Sequence, residues 1–258
     1  MKNQLTLAVI AAFALCLAGC ACSCPEPDPE AAAKSKAAID DAWTGFQTIA
    51  ADVPTAADSK LIECDDSALR KVKKEHKRAK LWAKSIDYDF LSQMGKDKQA
   101  KPDPDWAFLN WDTAEQLAKL KAGKPAGKRE GDIRYWLGHD ESRYLVVFRA
   151  ESKRQKKLPK LIDDPKAFLS KRATAVAGEH YKPGVWEGWM VVYDRETDKR
   201  LCQAPLSVKS RSEVTFKTRG AFQKDAEDAV ADDFKQHFKS RTAEALTQMT
   251  GELELSLY

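Results

Sequence analysis

The stretch Gly184–Lys209, GVWEGWMVVYDRETDKRLCQAPLSVK, constrains the fold more than any other part of the chain. From Val185 to Tyr193 both alternating faces are apolar. Val185, Trp189, Val191 and Tyr193 share one face, and Trp186, Met190 and Val192 share the other. A strand of that kind has to be covered on both sides. Asp194 to Lys199 is polar and reads as a loop. Cys202, Ala204, Leu206 and Val208 then alternate with Leu201, Gln203, Ser207 and Lys209, as in a strand with one buried face. Pro205 cannot donate to a ladder, so this second strand belongs at an edge or carries a bulge. A β-hairpin is therefore the expected centre of the molecule, and it carries no catalytic signature.

The rest of the chain is read by periodicity and punctuation. Ile39, Trp43, Phe46, Ile49 and Val53 predict a helix over 31–53 that stops at Pro54. Leu69, Val72, His76, Ala79, Trp82, Ile86, Phe90 and Met94 form one apolar stripe, predicting a long helix from Asp66 or Ser67 to Gly95. Asp112 or Thr113 opens a short helix with Glu115 and Gln116 in capping-box positions, closed by Gly123. Ile133–Leu137 and Tyr144–Ala150 read as strands, and Glu151–Leu161 as a basic loop. Asp164-Pro165 opens a helix carrying Phe168, Leu169, Ala173 and Val176. A strand at Val214–Phe216, a helix over 222–250 and a closing strand through Leu253, Leu255 and Leu257 complete the chain. Helices first, then strands interrupted by helices, predict an α+β fold. The expected sheet is antiparallel, of four to five strands, with helices packed on one face.

Motifs for chemistry are sparse. Gly123–Arg129 resembles a phosphate-binding loop, but it is one residue short, lacks the Ser or Thr that would hold magnesium, and follows a helix. No Gly-x-Ser-x-Gly, Ser-x-x-Lys or His-Glu-x-x-His occurs. His76, His139, His180 and His237 are scattered, so no metal, cofactor or catalytic residue is assigned. Trp106, Phe108, Trp111, Trp186 and Trp189 suit either a stacking platform for sugars or the core. Arg70, Lys71, Lys73, Lys74, Lys77, Arg78, Lys80 and Lys84 against Glu75 give net +7 over residues 70–84. Of these, Arg70, Lys73, Lys74, Lys77, Lys80 and Lys84 are the candidate contacts to a polyanion; the other reading is the solvated face of an amphipathic helix. Residues 225–258 carry net −5, so the two charged segments could instead meet at an internal seam.

The N-terminus speaks to location. Lys2 precedes an apolar run, Leu5–Leu17, too short for a permanent membrane span. The run ends in Leu17-Ala18-Gly19-Cys20, which resembles the lipobox of bacterial lipoproteins. That resemblance implies cleavage after Gly19, a lipid on Cys20 and attachment to the membrane through it. Ala21 stands where an Asp would favour retention at the inner membrane, so the resemblance implies the outer membrane in a Gram-negative host.

The expected organisation is a signal peptide over 1–19, a lipid-anchored Pro-rich acidic tether over 20–36, and one domain over 37–258. Within that domain 37–123 is expected to be helical and 131–258 to hold the sheet. Charged residues make up 32% and mean hydropathy is −0.54, so the body is water-soluble. An exported chain sees an oxidising compartment, so Cys22, Cys24, Cys64 and Cys202 are disulfide candidates, with three pairings open; the two in the folded body, Cys64 and Cys202, are either a disulfide or two buried thiols. The bridge would close a loop of about 140 residues, contributing roughly 4–5 kcal/mol. The function expected is a non-enzymatic envelope module that binds a protein or acidic polymer, with no nucleic acid partner. The alternative is a periplasmic hydrolase with a dispersed site, which requires a pocket with convergent, perturbed polar groups.

Overall fold

A computed structural model describes residues 29–54, 61–64, 81–96, 100–125, 127–128, 130–138, 143–162, 172–218, 222–250 and 255–257. The chain divides into two compact units, residues 1–37 and 38–258. In chain order the elements are α1 (Pro29–Asp52), β1 (Leu81–Asp87), α2 (Tyr88–Lys96), α3 (Asp112–Lys121), α4 (Glu130–Gly138), β2 (Tyr144–Ala150), β3 (Lys156–Lys157) and β4 (Lys160–Leu161). Then come β5 (Arg172–Val176), β6 (Tyr181–Lys182), β7 (Val185–Asp194), β8 (Lys199–Lys209), β9 (Glu213–Lys217), α5 (Phe222–Thr250) and β10 (Leu255–Leu257). Short 3-10 turns at Pro104–Leu109 and Lys153–Gln155 link them.

The β7–β8 hairpin forms where the alternation predicts it. Val185 pairs with Lys209 at one end and Asp194 with Lys199 at the other, with a bulge between Val192 and Tyr193. β2 and β3 pair along the opposite side of β7, and β1 then lies parallel between β2 and β10. Pro205 is opposite Trp189, on the side strand β8, whose outer edge takes a bridge from Ile62 to Gln203. The α+β class is as expected. The main sheet is wider by one strand, and its β1 pairings are parallel, because the connection from β1 to β2 runs through three helices.

Helices cover both faces rather than the one face expected. On one side Leu145, Val147, Trp189, Val191 and Tyr193 meet Trp43, Phe46 and Ile49 of α1, Phe90 and Met94 of α2, Leu117 of α3 and Ile133 of α4. On the other, Tyr144, Val146, Phe148, Trp186, Met190 and Val192 meet Phe234, Phe238, Leu246 and Met249 of α5. This is the two-sided burial that the apolar β7 demands. Phe238 is the hub of the second layer, with ring centroids 5.3 Å from Phe148, 5.4 Å from Trp186 and 5.7 Å from Phe108. β5, β6 and β9 build a smaller core with Ala226 and Val230 of α5.

Four expectations are corrected. The described end of the predicted 66–95 helix is a strand, β1, followed by the separate helix α2. Ile133–Leu137 lies in helix α4, with Ile133 buried and Tyr135 60% exposed. Ala173 and Val176 lie in β5, paired with β9, not in a helix opened by Pro165. The N-cap of α3 is Trp111, without a side-chain cap; Asp112 instead accepts from Gln116 at 3.2 Å. In addition, helix α1 begins at Pro29, so the last residues of the expected tether are helical.

Candidate functional site

β1 ends in Asp87 and α2 begins at once, so Asp87-Tyr88-Asp89 turns from the sheet into a helix. The Asp87 carboxylate is 2% exposed and faces the Lys156 ammonium, itself 4% exposed. Lys156 Nζ donates to Asp87 Oδ2 at 2.7 Å and to Asp89 Oδ2 at 2.8 Å. The Asp87 backbone N–H donates to Asn110 Oδ1 at 2.9 Å, and the Lys156 ammonium lies 5.5 Å from the Trp106 ring centroid. Burial pushes the Asp87 carboxyl up to about 6; Lys156 pulls against it, and Asp89 and Asp103 add to the rise. Burial alone would lower Lys156, but Asp87 and Asp89 outweigh it and hold the ammonium above its usual value. The lysine therefore stays charged, while Asp87 is the member that titrates near neutrality.

Beside this pair is a cleft of about 250 Å³ lined by Tyr88, Asp89, Arg149, Glu151, Lys153 and Trp189. Its floor is set by the closeness of β2 and β7. A Cβ at Gly188 would lie 2.1 Å from the Arg149 carbonyl oxygen and 2.7 Å from Ala150 Cα, so only glycine fits there. Arg149 Nη1 donates at 2.7 Å to each of the Val53 and Pro54 carbonyls just past α1, and the guanidinium stacks on Tyr88 at 4.3 Å. The cleft thus has one exposed cation, Lys153, while its other charged groups are bound into the frame.

A second cavity, of about 430 Å³, lies between α1 and the β7–β8 turn and includes Asp41, Gly45, Phe46, Arg134, Arg195 and Asp198. Arg195 stacks on Phe46 at 5.3 Å and on Trp111 at 5.2 Å, and donates to the Leu137 carbonyl at 3.2 Å. Burial pulls its guanidinium down to about 10, against Asp198; it keeps its proton at neutral pH. Next to it, Arg143 grips Asp194 through two bonds, at 3.1 and 2.8 Å, and Glu196 at 2.7 Å. These contacts fasten the hairpin turn.

The structure places the sequence candidates as follows. Cys20 and the residues Arg70, Lys73, Lys74, Lys77 and Lys80 lie outside the described residues. Lys84 is described, and it is not a surface contact: it sits within β1, 4% exposed. The strand is covered on both faces, so even its lysine is drawn inside. On α5, Asp233 faces Arg211 at 3.3 Å and Asp232 faces Lys235 at 3.5 Å; the basic side of the expected seam, apart from Lys84, lies outside the described residues. Cys64 and Cys202 are disulfide-bonded, with Cα atoms 4.5 Å apart, and the Cys64 N–H donates to the Met249 carbonyl. Trp106, Trp111, Trp186 and Trp189 are all buried and serve the core, not a platform.

His180 accepts from the Val176 N–H through Nδ1 at 3.1 Å, and His237 Nδ1 lies 2.9 Å from the Lys209 carbonyl, so the two stand apart. Among the described residues no three His, Cys, Asp or Glu side chains gather as metal ligands. Asp87, Asp89 and Lys156 were not singled out by sequence reasoning. Asp87 falls on the polar side of the predicted long helix, and Lys156 in a basic loop, 69 residues away.

No family model, no curated protein and no solved structure matches this chain.

Proposed function

We propose that the protein is a lipid-anchored component of the bacterial cell envelope whose body binds a partner instead of turning over a substrate. The observation that carries this reading is the Cys64–Cys202 disulfide. A bridge joining residues 138 apart belongs to a chain that matures in an oxidising compartment, which is where the Leu17-Ala18-Gly19-Cys20 motif would send it. Ala21 favours the outer membrane in a Gram-negative host. The binding half of the reading is supported by the cleft. Its buried lysine is committed to Asp87 and Asp89, and its arginine to two backbone carbonyls. Groups fixed in this way shape a surface without being free to pass protons.

One observation favours the alternative, a periplasmic hydrolase: a carboxyl raised to about 6 has the acidity of a general acid–base. Against it, Asp87 is 2% exposed and its carboxylate is held by Lys156.

Substituting Cys20→Ser tests the anchor. The variant is expected to lose incorporation of labelled fatty acid and to accumulate uncleaved; continued labelling at the N-terminus would overturn the lipid assignment. Crosslinking of the wild-type protein in intact cells identifies the partner.

A further inference from the structure

The segment Ser152–Ile162, SKRQKKLPKLI, has five cations and no acid, and the structure gives it a shape. Lys156 and Lys157 pair with Trp186 and Val185, and Lys160 and Leu161 pair with Lys182 and Tyr181. The Ile162 N–H donates to the His180 carbonyl, extending the pairing. The whole is an irregular two-stranded ribbon running out from the Val185 end of the central hairpin. Between the two short ladders, Pro159 sits against Gly184, where a Cβ would come within 2.5 Å of the proline ring. Only Lys156 turns inward, to Asp87 and Asp89. Lys153, Arg154, Lys157, Lys160 and Lys182 are exposed.

Two features distinguish this ribbon from a routinely charged surface. First, Lys160 is the direct cross-strand partner of Lys182. Opposed residues of an antiparallel pair share a face, and like charges placed so weaken the ribbon that holds them. An anion seated between them reverses that effect. Second, the described acids beside the ribbon are engaged elsewhere. Glu151 and Glu187 accept from Gln155 Nε2 at 2.9 and 3.1 Å, Glu187 also faces Lys209 at 3.5 Å, and Glu179 faces His180 at 3.7 Å. None of the five exposed cations has an ion-pair partner among the described residues. Neither of the two cavities described above includes Lys157, Lys160 or Lys182.

We propose that the ribbon bearing Lys153, Arg154, Lys157, Lys160 and Lys182 docks the body on anionic phospholipid headgroups, with phosphate seated between Lys160 and Lys182. The choice of a membrane as the source of phosphate rests on the lipid anchor proposed above. Eighteen residue steps separate Cys20 from Ala38, where the body begins, a reach of about 60 Å at most. A body tethered within that reach meets headgroups at raised effective concentration, where clustered lysines bind anionic lipid. Lys84, the one described cation of the expected basic stretch, is buried.

The test is amine footprinting of the full protein carried on vesicles of phosphatidylcholine alone or with phosphatidylglycerol. Acylation of each lysine is read by mass spectrometry. Phosphatidylglycerol is expected to slow acylation of Lys157, Lys160 and Lys182 about fivefold or more, and high salt to restore it. Lys119, and Lys199 at the far end of the hairpin, are expected to be unaffected. Equal acylation on both vesicles overturns the proposal. So does equal protection by soluble polyphosphate or inorganic phosphate on neutral vesicles, which would assign the seat to free phosphate chemistry instead. The same spectra report the mass of the Cys20 peptide. Protection without lipid on Cys20 sinks the anchor and leaves the ribbon standing; lipid without protection does the reverse.

Discussion

Asp87 makes this protein's stability depend on pH in the direction opposite to that of most carboxylates. A salt-bridged acid usually titrates below its unfolded value, so the fold gains from its ionisation. Here burial outweighs Lys156, and the carboxyl rises from 3.8 to about 6. The folded state holds this proton more tightly than the unfolded chain does. The stabilisation from protonating Asp87 is therefore full below pH 3.8 and is lost as pH rises through about 6. The shift corresponds to about 3 kcal/mol, and the 2% exposure of the side chain leaves little solvent to screen it.

Other carboxylates titrate in the same range, so the quantity to measure is a difference. Denaturant midpoints of the wild type and of Asp87→Asn, both with the disulfide intact, are converted to unfolding free energies from pH 4 to 7. Wild type minus variant is expected to fall by about 2.4 kcal/mol across that window as pH rises, flattening towards pH 7. A difference that is flat, or that grows with pH, would refute the reasoning, since it would mean that Lys156 and not burial governs the site.

Three further substitutions probe the frame. Cys202→Ser removes a bridge across a sequence separation of 138 and is expected to lower stability by roughly 4–5 kcal/mol under oxidising conditions, while wild type in reductant falls by a similar amount. Phe238→Ala empties the hub between Phe148, Trp186 and Phe108, and about 3–5 kcal/mol should be lost in equilibrium denaturation. Gly188→Ala drives a methyl group into the backbone at Arg149 and Ala150, and is expected to cost about 3 kcal/mol or more, seen as a lowered denaturation midpoint and faster amide exchange along β2.

The hairpin, α1 and α5 were legible because each carries a period that burial enforces locally; the last strand was legible from the alternation of its leucines. In β7 the two alternating sets go to opposite cores; in β8 Cys202, Ala204, Leu206 and Val208 join one core, while Gln203, expected on the open face, is buried as well. β1 was not legible. Trp82, Ile86, Phe90 and Met94 are four residues apart and continue a helical stripe, but a strand buried on both faces has no informative alternation. Burial there reaches Lys84 and Asp87 alike. Ile133–Leu137 misled in the other direction. Its aromatic and β-branched residues favour a strand, yet that preference is weak where only Ile133 must be buried, and the segment is helix α4.

The sequence by itself determined the two-sided core strand, the α+β class and the pairing open to the body's two cysteines, because these follow from side-chain periodicity and composition. Tertiary structure alone decided that Asp87 and Lys156 meet, that the Lys160 and Lys182 side strands oppose each other, and that Lys84 is hidden. Each depends on register between segments distant in the chain, and charge placement across a ladder leaves no mark on the period of either segment.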